Sequence, residues 1–198
     1  MKPFMTRRPA CAVRRNRCLT ASRSLLVALA LASSAAFAAD CDIRASSSEV
    51  DYGEIHRGAV FPRADTAPGS LGKRKIMLTA VCRQATTFAL RLEGPVSPGG
   101  ELQFGKSGHF IATVKDATVD GNGVQLTSSG STSGTTRGVS SRLSPADAVM
   151  ASAANGVPVK GKTFSASIEI DTYVGESDTR ARDRMLVEGH GTLSVQTN

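Results

Sequence analysis

The stretch Lys75-Ile-Met-Leu-Thr-Ala-Val-Cys82 decides the fold class, because its apolar side chains recur at every second position. A period of two is the signature of a β-strand that buries one face and exposes the other. The next segment continues the same alternation and ends at Gly94-Pro95, where a strand must stop. The predicted inward residues of the two segments are Ile76, Leu78, Ala80, Cys82, Phe88, Leu90 and Leu92.

Alternating segments of this kind, separated by turn signals, fill most of the chain. Asp120-Gly-Asn-Gly123 is typical of a hairpin turn, since its residues tolerate positive φ. Phe164, Ala166, Ile168 and Ile170 mark the clearest late strand. Many short strands predict an all-β sandwich, and the absence of Trp makes its core aliphatic.

Two segments depart from the strand pattern. One short helix is predicted over residues 145–154, because Ser144 suits an N-cap, Pro145 the first helical position and Asn155-Gly156 the stop. The run from Thr127 to Ser141 is rich in Ser, Thr and Gly, and we expect a mobile loop there.

The charge of the chain belongs to its first residues. The formal net charge is +7, yet all seven surplus cations precede Ala39, and the remainder holds 17 basic and 17 acidic residues. Residues 1–38 have the parts of a secretory signal peptide: a basic start, the apolar run 25–32 and the small-residue site Ala36-Phe-Ala38. The run is too short for a membrane span. We therefore expect an exported domain, residues 39–198, that does not bind nucleic acid.

The exported domain would keep two cysteines, Cys41 and Cys82. In an oxidising compartment the default is one disulfide between them. A metal site is a weaker alternative, because His56, His109 and His190 are scattered without ligand spacing. A catalytic cysteine would need a nearby base.

Motifs for enzyme chemistry fail in context. Residues 100–107 match a phosphate-binding loop, but no buried strand precedes them and the following residues read as extended. Glu169 and Asp171 alternate with Ile168 and Ile170, which indicates a solvated outer face. We therefore expect no enzyme, no cofactor and no metal site.

The end of the chain carries a row of same-parity residues, which predicts a terminal strand with a buried face. Ordinary packing at the edge of a sandwich is one interpretation. Addition of a strand from another chain is the other, because such addition uses backbone hydrogen bonds and alternate side-chain pockets. The row comprises Met185, Val187, Gly189, Gly191, Leu193, Val195 and Thr197.

Together these segments resemble the subunits of chaperone–usher fimbriae, and more narrowly a family of β-fimbrial subunits. The resemblance is carried by Cys41-Asp-Ile43, Val50–Ile55, Lys75–Cys82, Phe164–Tyr173 and Gly189–Val195. It implies an incomplete immunoglobulin-like, pilin-type sandwich that lacks its seventh strand. It also implies a Cys41–Cys82 bridge and an acceptor groove beside the terminal strand.

The resemblance further implies the partners and the location. A periplasmic chaperone would fill the groove and grip the carboxylate of Asn198, and a neighbouring subunit would replace the chaperone at an outer-membrane usher. The product would be a surface fimbria with a possible receptor on a host or another surface. Because only Ala39-Asp40 precede Cys41 after the expected cleavage, we expect a receiver without a donor strand, at the tip or as an accessory subunit.

One departure from the family and two alternatives remain. The family usually places an aromatic residue near the C-terminus, whereas residues 196–198 contain none. The first alternative is a self-complete secreted sandwich that binds glycan or another surface ligand through the Ser/Thr/Gly-rich run. The second, weaker alternative is a secreted hydrolase.

Overall fold

The computed structural model describes residues 41–61, 68–130, 134–180 and 185–197. The predicted signal peptide, residues 1–38, and the predicted chaperone contact at Asn198 lie outside these ranges. No helix within the described ranges is long and apolar enough to cross a bilayer.

The elements are β1 Cys41–Ala45, α1 Arg57–Val60, β2 Gly69–Glu93, β3 Leu102–Phe104, β4 Gly108–Val119, β5 Asn122–Gly123, β6 Gln125–Gly130, β7 Gly134–Gly138, β8 Ser140–Leu143, β9 Ala148–Ser152, β10 Lys160–Val174, a 3₁₀ helix Glu176–Thr179 and β11 Thr192–Thr197.

Strand β2 belongs to two antiparallel sheets and joins them. Its earlier part pairs with β1 on one side and with β10 on the other, and β10 then pairs with β4. Three short strands, β3, β5 and β8, pair with the far edge of β4. The last residues of β2 pair with β11 and β9, and β9 leads through β6 to β7. The predicted all-β class is confirmed.

The inward side chains of both sheets form one core. Leu78 and Ala80 of β2 lie in the same buried cluster as Leu126 of β6 and Val149 of β9. Phe88 and Phe164 stack within it, with ring centroids 5.4 Å apart. Since every even position of β2 from Leu78 to Cys82 and from Thr86 to Leu92 is buried, the period of two predicted for this stretch is confirmed.

The hairpin turn at Asp120-Gly121 is also confirmed. Asp120 has φ 50° and Gly121 has φ 80°, while β4 and β5 pair on either side of the turn. The Asp120 carboxylate accepts hydrogen bonds from the backbone N–H groups of Lys162 and Thr163, at 3.0 and 2.8 Å. This turn therefore also fixes the start of β10.

The helix predicted over residues 145–154 is wrong. The chain turns after Ser144, where the Asp147 N–H donates to the Ser144 carbonyl, and then forms β9. Val149 and Ala151 are both 1% exposed, so alternate positions of this segment enter the core. Pairing with β2 on one side and β6 on the other satisfies its backbone groups and overrides the local helix signals.

The loop predicted from Thr127 to Ser141 is wrong as well. Strands β6 and β7 form a hairpin there, and β8 follows it directly. Strand β6 also pairs with β9, so its hydroxyl-bearing residues take part in the second sheet. Residues 131–133, at the tip of the hairpin, lie outside the described ranges.

Candidate functional site

The candidate site lies at the edge strands β1 and β11, which both flank β2. Cys41 of β1 is opposite Cys82 of β2, and the two form the predicted disulfide. Cys82 is 4% exposed. The bridge closes a loop with a sequence separation of 41 residues, and a loop of that size stabilises a fold by about 4 kcal/mol in the chain-entropy treatment. It holds the five-residue strand β1 against its neighbour.

Strand β11 is the other edge. Leu193 and Val195 lie opposite Leu92 and Leu90, and because those leucines point into the core, Leu193 and Val195 do too. Both nevertheless remain half-buried. Within the described residues β11 pairs with β2 alone, so the N–H and C=O groups on its other side face no strand. An edge of this kind is a template for another strand.

Ile43 of β1 is an inward apolar side chain that the rest of the core leaves largely exposed. Its cross-strand partner is Ala80, which is 0% exposed, so the Ile43 side chain lies on the inner face of the sheet. An inward isoleucine is normally covered by the opposite sheet, but Ile43 is 46% exposed. Ile43 on β1 and the half-buried Leu193 and Val195 on β11 are inward apolar side chains of the two edge strands, and we call these three residues the open strip. Sequence reasoning missed Ile43, although its parity with Cys41 was the available signal.

The predicted terminal strand begins later than expected. Only residues 192–197 form β11, and the described residues 185–191 are not a strand. The Gly105 N–H donates to the Glu188 carbonyl at 2.8 Å, and a Cβ on Gly189 would lie 2.9 Å from the Gln103 carbonyl oxygen. The segment thus lies against β3 instead of pairing with β2, and Gly189 permits this close approach.

The predicted site residues therefore separate into two groups. Leu193, Val195 and Thr197 lie on β11 with inward parity. Met185 is 45% exposed, and the Cγ1 atom of Val187 lies close to the backbone of Gly105. The structure does not bring Met185 and Val187 to the open strip.

The segment that resembles a phosphate-binding loop already binds a carboxylate of the chain itself. Asp178 is 4% exposed and accepts hydrogen bonds from the backbone N–H groups of Lys106 and Ser107, at 3.0 and 2.9 Å. The Ser107 hydroxyl donates to the same carboxylate at 3.0 Å. The chain then continues into β4, so no helix follows the turn. The amides that a phosphate would need are occupied.

The outer face of β10 carries the predicted solvated charges. Glu169 accepts hydrogen bonds from Lys73 at 2.9 Å and from Lys115 at 3.0 Å. These hydrogen bonds lower the pKa of Glu169 below its usual value, and the bond from Lys73 has the largest effect. The Asp171 carboxylate accepts a hydrogen bond from the Tyr173 hydroxyl at 3.0 Å, which raises the pKa of Tyr173. This ladder ties β2, β4 and β10 together.

Comparison with known proteins gives no match by sequence and only a weak structural similarity. No protein-family model matches the chain, and no curated protein matches it. Among solved structures, the chain is similar to the P pilus rod subunit PapA, with a TM-score of 0.40 and 10% sequence identity. That alignment covers 80% of this chain and 99% of the pilus subunit.

Proposed function

We propose that this chain is a non-catalytic structural or adhesive subunit of a surface fimbria, and that a β-strand from another chain completes it. The observation that carries the proposal is Ile43, an inward side chain of β1 that is 46% exposed. Strand β11, the other edge strand that pairs with β2, has N–H and C=O groups on one side that face no strand among the described residues. A strand added there would gain hydrogen bonds from β11 and would bury the open strip.

The proposal includes the route of assembly that the sequence resemblance implies. The chain would cross the inner membrane behind its signal peptide and form the Cys41–Cys82 bridge in the periplasm. A pilus chaperone would supply the first strand, and a neighbouring subunit would replace it at an outer-membrane usher. The disulfide supports an oxidising compartment. Sequencing the N-terminus of the exported protein tests the cleavage site and the expectation that this subunit does not donate a strand.

The alternative of a self-complete sandwich predicts a covered inner face, and the exposure of Ile43 argues against it. The two are separated by adding a synthetic peptide of about ten residues, alternating Val and Thr with lysines at its ends, to the purified mature chain. We expect the peptide at one hundred times its Kd to stabilise the fold by about 2.7 kcal/mol, seen as a higher melting temperature.

Two variants give this experiment its control. Ile43→Asp places a charge on the open strip and should abolish the stabilisation by the peptide. Val81→Asp is the control: it alters a side chain that is 50% exposed on the outer face of β2 and should leave the stabilisation by the peptide unchanged. The proposal would be contradicted if the peptide raised the melting temperature of the two variants equally, or if it did not raise the melting temperature of the parent chain.

A further inference from the structure

A second candidate site lies at the far edge of β4, away from β1 and β11. It is a cleft of about 450 Å³ between the β3–β4 and β8 region of the first sheet and the β6–β7 hairpin of the second. Small-molecule sites in proteins are commonly of this size. No part of the proposed strand-acceptor edge lines the cleft, so an inference about it stands independently of the proposed function.

The strand arrangement creates this cleft. Strand β3 pairs with Gly108–Phe110 of β4, and β8 pairs with Ala112–Lys115, so Ile111 lies between the ends of two short strands. Glu101 and Arg142 bridge that junction at 3.0 Å. The hydrogen bond from Arg142 lowers the pKa of Glu101 and keeps the carboxylate charged. The pair connects the two sides of the cleft rim.

The lining combines an apolar floor with hydroxyl groups. Leu102 and Leu143 are buried, and Phe110 packs beside them. In the part of the chain that the structure describes, no side-chain hydrogen bond is made by any of four lining hydroxyls. Ser128, at 8% exposed, is the most buried of these four residues. The four hydroxyls belong to Ser128, Thr136, Ser141 and Ser144.

We propose that this cleft binds a short neutral saccharide. A sugar ring presents C–H groups to an apolar floor and hydroxyls to surrounding donors and acceptors, which is the combination found here. An anionic ligand fits poorly, because Glu101 already neutralises Arg142 and Asp147 adds a negative charge to the lining. The Asp147 carboxylate and the four hydroxyls would accept and donate the hydrogen bonds of the sugar.

Neighbouring serines on β8 provide a matched test. Ser141 lies opposite Val114, which is 0% exposed, so its side chain lies on the inner face and lines the cleft. Ser140 is exposed, lies opposite Lys115 and does not line the cleft. Ser141→Trp should fill the cleft, whereas Ser140→Trp adds the same side chain outside it.

The full exported chain and both variants are applied to an immobilised panel of neutral and sialylated oligosaccharides. We expect the parent and Ser140→Trp to bind the same neutral saccharides, and Ser141→Trp to lose at least about tenfold in affinity. Should Ser141→Trp not fold, Thr136→Val takes its place, with an expected loss of about fivefold. The proposal is overturned when the parent binds no neutral saccharide at millimolar concentration, binds only sialylated ones, or binds equally after either cleft substitution.

Discussion

Asp178 shows how one side chain can organise a connection that has little regular structure. Its buried carboxylate takes three hydrogen bonds from the turn between β3 and β4. The same turn receives the Glu188 carbonyl on its Gly105 N–H. The 3₁₀ helix, the β3–β4 turn and the approach to β11 are thus fixed by one residue and its neighbours.

Replacing Asp178 by Asn should therefore be costly. The amide removes the charge that strengthens these bonds and turns an N–H donor toward backbone donors. We expect a loss of about 2–3 kcal/mol in the free energy of unfolding, measured by urea denaturation of the oxidised chain. Asp116→Asn is the control, because the Asp116 side chain is 73% exposed and its ion pair with Lys75 is long, at 3.7 Å. A control as damaging as Asp178→Asn would refute this role.

Acid should destabilise the fold, because it protonates three glutamates that are paired with lysine or arginine side chains. Hydrogen bonds from Arg142, from Lys73 and Lys115, and from Arg180 lower the pKa values of Glu101, Glu169 and Glu176 below the ordinary 4.5. A carboxylate whose pKa is lowered in the native state binds a proton more weakly in the folded than in the unfolded chain. Its contribution to the free energy of unfolding is therefore full above pH 4.5, and it is lost as the pH falls through the native-state pKa.

The expected result is a melting temperature that is flat above about pH 5 and falls below it. A variant with Gln at these three positions should start lower at neutral pH and show a shallower acid limb. The interpretation fails if the parent and the variant have parallel profiles.

At the scale of elements, the β4–β5 turn depends on backbone conformation. A Cβ added at Gly121 or at Gly123 would meet open space, but only Gly121 has a positive φ, at +80°. Gly121→Ala should cost about 1–2 kcal/mol of unfolding free energy, since L-residues are strained there. Gly123→Ala should be neutral or slightly stabilising. Urea denaturation measures the unfolding free energy of both variants. Equal losses in the two variants would contradict the role given to the positive φ of Gly121.

The segment before β11 depends on close approach instead. A Cβ at Gly189 would lie 2.9 Å from a backbone oxygen of β3, which cannot move aside cheaply. A Cβ at Gly191 would meet the flexible side chain of Leu92 at 3.3 Å. We expect Gly189→Ala to lower the unfolding free energy by about 2 kcal/mol and to expose residues 185–191 to limited proteolysis, with a smaller effect for Gly191→Ala. The opposite order would show that the contact with β3 is not what holds the segment.

Strands with a regular alternation, such as β2 and β10, were predictable from sequence because alternate residues over much of each strand are buried. Strand β9 was not, because Pro145 and Asn155-Gly156 are good local helix signals and only pairing with β2 and β6 overrides them. The row from Met185 to Thr197 predicted a strand with the correct parity over residues 192–197. Gly189, however, allows contact with β3, which no pattern along the chain reveals.

At the scale of the whole molecule, the two sheets share β2, and β1 and β11 are the strands that flank it at the edges. The Phe88–Phe164 stack and the aliphatic side chains around it form the core, but in the open strip Ile43 remains 46% exposed and Leu193 and Val195 are only half-buried. An isolated molecule with such an edge should associate through it, whereas one that has received a strand should not.

Hydrogen exchange of the β11 backbone tests this account most directly. The amides of residues 192–197 are followed by mass spectrometry in the isolated mature chain and after addition of the alternating Val/Thr peptide. We predict that alternate amides of β11, those not bonded to β2, exchange fast in the isolated chain and become protected with the peptide. Full protection of β11 in the isolated monomer, unchanged by any added strand, would contradict the account.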